Sequence, residues 1–183
     1  MDSHELPRLE SVEQLARQVF TDLHQTIISH ESGSLAGDVE SVHDMRVTVR
    51  RLRVALSNFA VCVPKEDRKR LRSKLENLAD ALGGVRDMDV MIAAMKALSP
   101  IGNSQWPGQD KAAISALISR LRARRRSRLR ALMKYLGGED YASFKREFPS
   151  DWIKVNDPRP YEPYKPYSGL SQEFPEEEHG QAA

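Results

Sequence analysis

One imidazole and three guanidinium groups recur at helical spacing within Asp38–Phe59, DVESVHDMRVTVRRLRVALSNF. A helix turns by about 100° per residue, so with His43 at zero, Arg50 falls at about −20°, Arg46 at about −60° and Arg53 at about −80°. These four side chains share one arc. A guanidinium stays charged at any relevant pH and donates two hydrogen bonds from a planar fork, which matches phosphate and carboxylate oxygens. His43 adds a further donor. Val42, Met45, Val49, Leu52, Leu56 and Phe59 fill the neighbouring arc in the three–four spacing of a packed seam. Arg51 falls off both arcs and reads as a solvated surface residue. A row of cations beside a buried seam, and not opposite it, builds a groove that collects negative charge.

Other charged groups extend or compete with this row. Arg86-Asp87-Met88-Asp89 opens a downstream helix, where acids in the first turn suit the helix dipole. Arg86 reads equally as a phosphate contact or as an ion pair inside the bundle. Asp87 and Asp89 can hold Arg46 and Arg50, either to lock the bundle or to orient them toward an anion. Lys69, Arg70 and Lys74 are weaker anion-binding candidates. Arg120 to Arg130 holds seven arginines in eleven positions. Like charges three or four apart repel on an isolated helix, so some of these, Arg120 and Arg124 among the candidates, face a shared anion or a partner's acids.

Five helices are expected to position these groups. The first runs from Ser11 to about His30 on Val12, Leu15, Ala16, Val19, Leu23 and Ile27, ahead of a Gly33–Gly37 loop. His24 and His30 on it read as surface or packing residues, not ligands. The second starts at an Asp38 or Ser41 N-cap and ends before Pro64. The third starts at Pro64, carries a Leu71, Leu75, Leu78, Leu82 seam and stops at Gly83-Gly84, since glycine readily takes the left-handed C-cap conformation. A shorter helix covers Val85 to Leu98, and Ser99 to Gln109 is a loop. The last spans about Asp110 to Leu136 and stops at Gly137-Gly138. The fold class is therefore all-α: an antiparallel helical bundle of residues 11–138, preceded by a loose 1–10. After Phe148 the composition shifts. Residues 149–183 hold six prolines, a Tyr161-x-Pro163-Tyr164-x-Pro166-Tyr167 spacing and Glu176-Glu177-Glu178, and read as a disordered acidic tail.

At 183 residues the chain fits one domain able to bury a core without disulfides or metal. Cys62 is the single cysteine, which excludes an intrachain disulfide framework and reads as a buried structural thiol. No apolar run is long enough to span a bilayer, and no signal pattern opens the chain, so a cytoplasmic protein is the default expectation. The formal net charge of +2 hides segregation: residues 1–42 carry −6, residues 43–134 carry +13 and residues 135–183 carry −5. The middle block attracts polyanions whatever the total. A helical surface that is merely Arg-rich is the bland alternative.

Val42-His43-Asp44-Met45-Arg46-Val47, then Arg50-Arg51-Leu52-Arg53, then Leu82-Gly83-Gly84-Val85-Arg86-Asp87-Met88-Asp89-Val90 together resemble the CHAD family, the conserved-histidine α-helical domains. The resemblance covers roughly residues 11–137. It implies an all-helical fold of two similar four-helix bundles about a pseudo-two-fold axis, with a basic surface that binds inorganic polyphosphate. Carried over by position, it points to His43, Arg46, Arg50, Arg53 and Arg86. Nothing after Leu136 repeats the His/Arg-bearing helix, so the chain reads as one half with a short extra helix. Either two copies pair to rebuild the groove, as a two-fold dimer apposes one patch twice, or the protein is a truncated relative. The expected function is non-catalytic polyphosphate binding, with no cofactor and no membrane. An RNA or other nucleic-acid backbone is the alternative ligand, disfavoured by the scarcity of aromatics for base stacking. A structural helical partner without anion affinity is the other alternative. No acidic metal cluster, activated nucleophile or glycine-rich phosphate loop suggests an enzyme.

Overall fold

The computed structural model describes residues 12–98, 108–147 and 149–153, so the expectations for 1–10, 99–107 and 154–183 lie outside the described residues. Six α-helices follow in order: α1 Val12–Ser29, α2 Glu31–Ala36, α3 Val39–Asn58, α4 Lys65–Leu98, α5 Gly108–Leu136 and α6 Glu139–Arg146. A 3-10 turn, Pro149–Trp152, comes last, and there is no strand among the described residues. The four long helices pack each on the next, α1 on α3, α3 on α4 and α4 on α5, as an antiparallel bundle. The short elements close it: α2 lies on α3 and α5, α6 on α4 and α5, and the 3-10 turn on α1.

The start of α3 is set locally. Gly37 takes φ 76°, a left-handed conformation that favours glycine, and ends α2. Asp38 follows in extended conformation, and its carboxylate accepts from the Ser41 amide at 2.8 Å and the Ser41 hydroxyl at 2.7 Å. Asp38 is thus the N-cap, and those hydrogen bonds hold its carboxyl below the usual range. The stretch expected as a Gly33–Gly37 loop is α2 itself. Along α3 the expected seam is realised: Val42, Met45, Val49, Leu52 and Leu56 are buried, and Phe59 packs partly buried against them.

Gly83-Gly84 does not end a helix. α4 runs unbroken through both residues for 34 residues, and the separate helix expected at 85–98 is its second half. Gly37 is the one glycine with positive φ among the described residues, so neither Gly83 nor Gly84 has a C-cap geometry. The reason lies in their neighbours. Leu82 and Val85 are both completely buried. Burying such side chains contributes about 1.5–3 kcal/mol each, against about 0.5–1 kcal/mol lost at each mid-helix glycine. Packing outweighs propensity here.

The packed domain also continues beyond Gly138. Tyr141 and Phe144 of α6 are buried, as are Trp152 and Ile153, so the first residues of the stretch read as a tail belong to the core. Phe144 and Trp152 enclose His24, with ring centroids 4.8 and 5.8 Å from the imidazole. The His24 Nε2–H donates to the Phe144 carbonyl at 3.0 Å, which makes it a packing residue as expected. Arg17 donates to the Ile153 carbonyl at 3.3 Å and pins the end of this segment on α1. Cys62 is buried, and burial pushes its thiol up.

Phe144→Ala is expected to cost about 3–5 kcal/mol in urea-induced unfolding, the usual range for a buried aromatic cut to alanine. An unchanged midpoint would show that α6 is an appendage to the bundle.

Candidate functional site: a basic cleft on the outer face of α4

The outer face of α4 forms the floor of a cleft of about 460 Å³, lined by Arg46, Arg50 and Arg53 of α3, Ala79, Asp80, Gly83, Gly84 and Asp87 of α4, and Arg128 of α5. α3 and α5 flank α4, and each sends guanidinium groups across its solvent side. Gly84 is what gives Arg128 its close approach, and Gly83 leaves room beside Arg46. A Cβ placed on Gly84 would stand 3.2 Å from Cδ of Arg128, and one on Gly83 would stand 3.9 Å from Nε of Arg46. Larger side chains there would push the arginines of the two flanking helices apart.

Pairing separates the structural arginines from the available ones. Arg53 meets Glu76 at 3.3 Å, with both side chains well exposed at 39% and 48%. Such a pair contributes at most about 1 kcal/mol, so an incoming anion can replace Glu76. Arg46, Arg50 and Arg128 have no ion pair or hydrogen bond among the described residues. The expectation that Asp87 or Asp89 holds Arg46 or Arg50 is not realised. Asp89 instead holds Arg125 of α5, through a charge-assisted bond from Nε to Oδ1 and a 3.3 Å bond from Nη2 to Oδ2. The same Nη2 donates to the Gly37 carbonyl at 2.8 Å. Asp89 is 8% exposed, so this is a buried clamp joining α4, α5 and the α2–α3 turn. Asp87, two residues earlier, points into the cleft. One acid builds the fold, and the other tempers the site's charge.

The remaining candidates fall in several places. His43 lies on the same face of α3, just before Arg46, but does not line the cleft. Its Nδ1 is buried without a hydrogen-bond partner among the described residues. Arg86 is half-buried on α4 and does not line the cleft either. Arg70 and Lys74 are outside it: both bind Glu147, Arg70 at 2.6 Å, and Lys74 also donates to Ser143 at 2.9 Å. They fasten the end of α6 to α4, a role hidden in the sequence because Glu147 is over seventy residues away. Lys69 is exposed beside them. Arg120 and Arg124 are exposed on α5, two turns and one turn ahead of Arg128 and so about 12 and 6 Å along the axis. They continue its stripe beyond the cleft. Arg128 is the cleft residue that sequence reasoning missed. Spacing could not single it out, since Arg122, Arg126 and Arg130 repeat at the same interval as Arg120, Arg124 and Arg128.

Gly83→Ala is expected to stabilise the protein by about 0.5–1 kcal/mol in chemical denaturation, because alanine outranks glycine inside a helix. At a left-handed C-cap it would destabilise instead. Asp89→Asn is expected to cost about 3 kcal/mol or more, since it strands a half-buried guanidinium, while Asp87→Asn leaves the unfolding midpoint unchanged.

A family model described as CHAD domain matches residues 18–175, most of the chain and well past the limit of residue 137 suggested by the motifs. No curated protein matches the chain.

Proposed function

We propose that this chain, which belongs to the CHAD domain family, binds inorganic polyphosphate without transforming it. The observation that carries the proposal is the convergence of Arg46, Arg50 and Arg128 on one solvent-open cleft with no carboxylate paired to any of them among the described residues. Polyphosphate carries about one charge per phosphate and no base edges, so its binder needs a line of fork-shaped donors and nothing to read sequence. Arg46 and Arg53, two turns apart on α3, are spaced about 10 Å along the axis, enough for several phosphates. Arg124 and Arg120 carry the line onward along α5, and His43 along α3. The cleft lining contains no aromatic ring on which a base could stack, which favours polyphosphate over RNA. We assign binding and not turnover.

Titration with polyphosphate at two salt concentrations tests the assignment. Displacement of about three counterions predicts that affinity falls about 20-fold between 50 and 200 mM salt. Arg46→Ala, Arg50→Ala and Arg128→Ala are each expected to weaken binding about tenfold, the loss of one charge-assisted hydrogen-bonding group. Asp87→Asn should tighten it, since it removes a like charge from the cleft. Binding indifferent to salt or to all three arginines would refute the cleft as the site. Molecular mass of the chain without polymer, measured alongside, decides whether a homodimer brings two clefts together.

A further inference from the structure

A second cleft lies on the other side of α3, between it and α1. It encloses about 630 Å³ and its walls are apolar: Val19 and Leu23 of α1 face Val47, Val54 and Ala55 of α3, with Phe59 just past the end of α3. Val54 is 51% exposed, one turn beyond Arg50 and Arg51 on α3. The rim is charged, and Arg46, Arg50 and Arg51 all border the opening. Arg46 and Arg50 therefore form a ridge shared with the basic cleft. Asp22 is the acid on this rim, and both of its oxygens accept from the Gln18 amide, at 2.9 and 3.0 Å.

We propose that the α1–α3 cleft binds a single-chain amphiphilic phosphate, its alkyl chain laid against Val19, Leu23, Val47 and Val54 and its headgroup held by Arg50 and Arg51. The volume lies within the range of about 300–1,000 Å³ usual for small-molecule sites. Apolar walls ending at guanidinium groups with no ion pair among the described residues complement a molecule with an apolar body and one anionic end. A second copy of this chain fits less well, because a two-fold contact across the cleft would appose the arginine rims. Arg46 and Arg50 serve both clefts, so the amphiphile and a polyanion on α4 compete for them. The α1–α3 site does not depend on the polyphosphate assignment; only the competition does.

The test uses the full chain with decyl phosphate, decanol and inorganic phosphate, each below the concentration at which the amphiphiles aggregate. Calorimetry is expected to show one saturable decyl phosphate site per chain, at least tenfold tighter than either decanol or inorganic phosphate. Across hexyl, octyl and decyl phosphate, affinity should rise about tenfold for every two methylenes buried. Val54→Gln and Arg51→Ala, both at exposed positions, should each weaken decyl phosphate at least fivefold and leave polyphosphate affinity within twofold. Arg50→Ala should weaken both ligands. Equal affinity for decanol, no dependence on chain length, or full binding by Val54→Gln would overturn the proposal. So would a site that opens only as a dimer is diluted, which would give the cleft to a second copy. Decyl phosphate binding by a chain that ignores polyphosphate would sink the functional assignment alone.

Discussion

The buried carboxylate of Asp89 carries much of the arrangement. By holding Arg125, it fixes the rotation of α5 on α4, and through the Gly37 carbonyl it ties both to the turn that starts α3. The three helices that frame the basic cleft are thus referenced to one ion pair. A buried pair is not in itself a strong source of net stability, because desolvation offsets much of the attraction. Its value here is geometric. With Arg125 turned inward, Arg128 of the next turn projects over α4 at Gly84, opposite the arginines of α3.

That geometry must coexist with repulsion among like charges. The protein separates its cations by task. Arg125, Arg70 and Lys74 are each held by a carboxylate and join helices. Arg46, Arg50 and Arg128 are left without one among the described residues, and they gather where α4 presents glycine in place of a side chain. Asp80 and Asp87 share the cleft with them but stand beyond ion-pair distance. They lower the local potential without closing the site. The core makes this tolerable: a seam buried along α1, α3, α4 and α5, extended by Tyr141, Phe144 and Trp152, holds the backbones in place whatever the exposed guanidinium groups would prefer.

The α3 helix consequently works on three faces. One face is the seam, one is the wall of the basic cleft, and the third, with Val47 and Val54 seven residues apart, walls the apolar cleft against α1. Arg46 and Arg50 sit at the boundary of the last two. A helix with a single polar face would have kept the two clefts independent. Here any ligand that draws those arginines to one side removes them from the other.

Periodicity alone determined the helix class, the α3 seam, the burial of the α4 leucines and the shared arc of Arg46, Arg50 and Arg53, because each depends only on rotation per residue along one helix. Cap chemistry narrowed the start of α3 to Asp38 or Ser41, and the fold took Asp38. What the sequence could not decide was anything that requires a distant partner. The Gly83-Gly84 pair reads as a stop until Leu82 and Val85 are seen buried on either side. Asp89 reads as a mate for α3 until Arg125, thirty-six residues away, is seen to take it. α6 offers only Tyr141 and Phe144, too short a pattern to register, and Arg70 and Lys74 look available until Glu147 folds back on them. Local propensity is a matter of about a kilocalorie per residue, whereas the choice of partner for a buried charge or ring is worth several, and that choice is made only when helices meet.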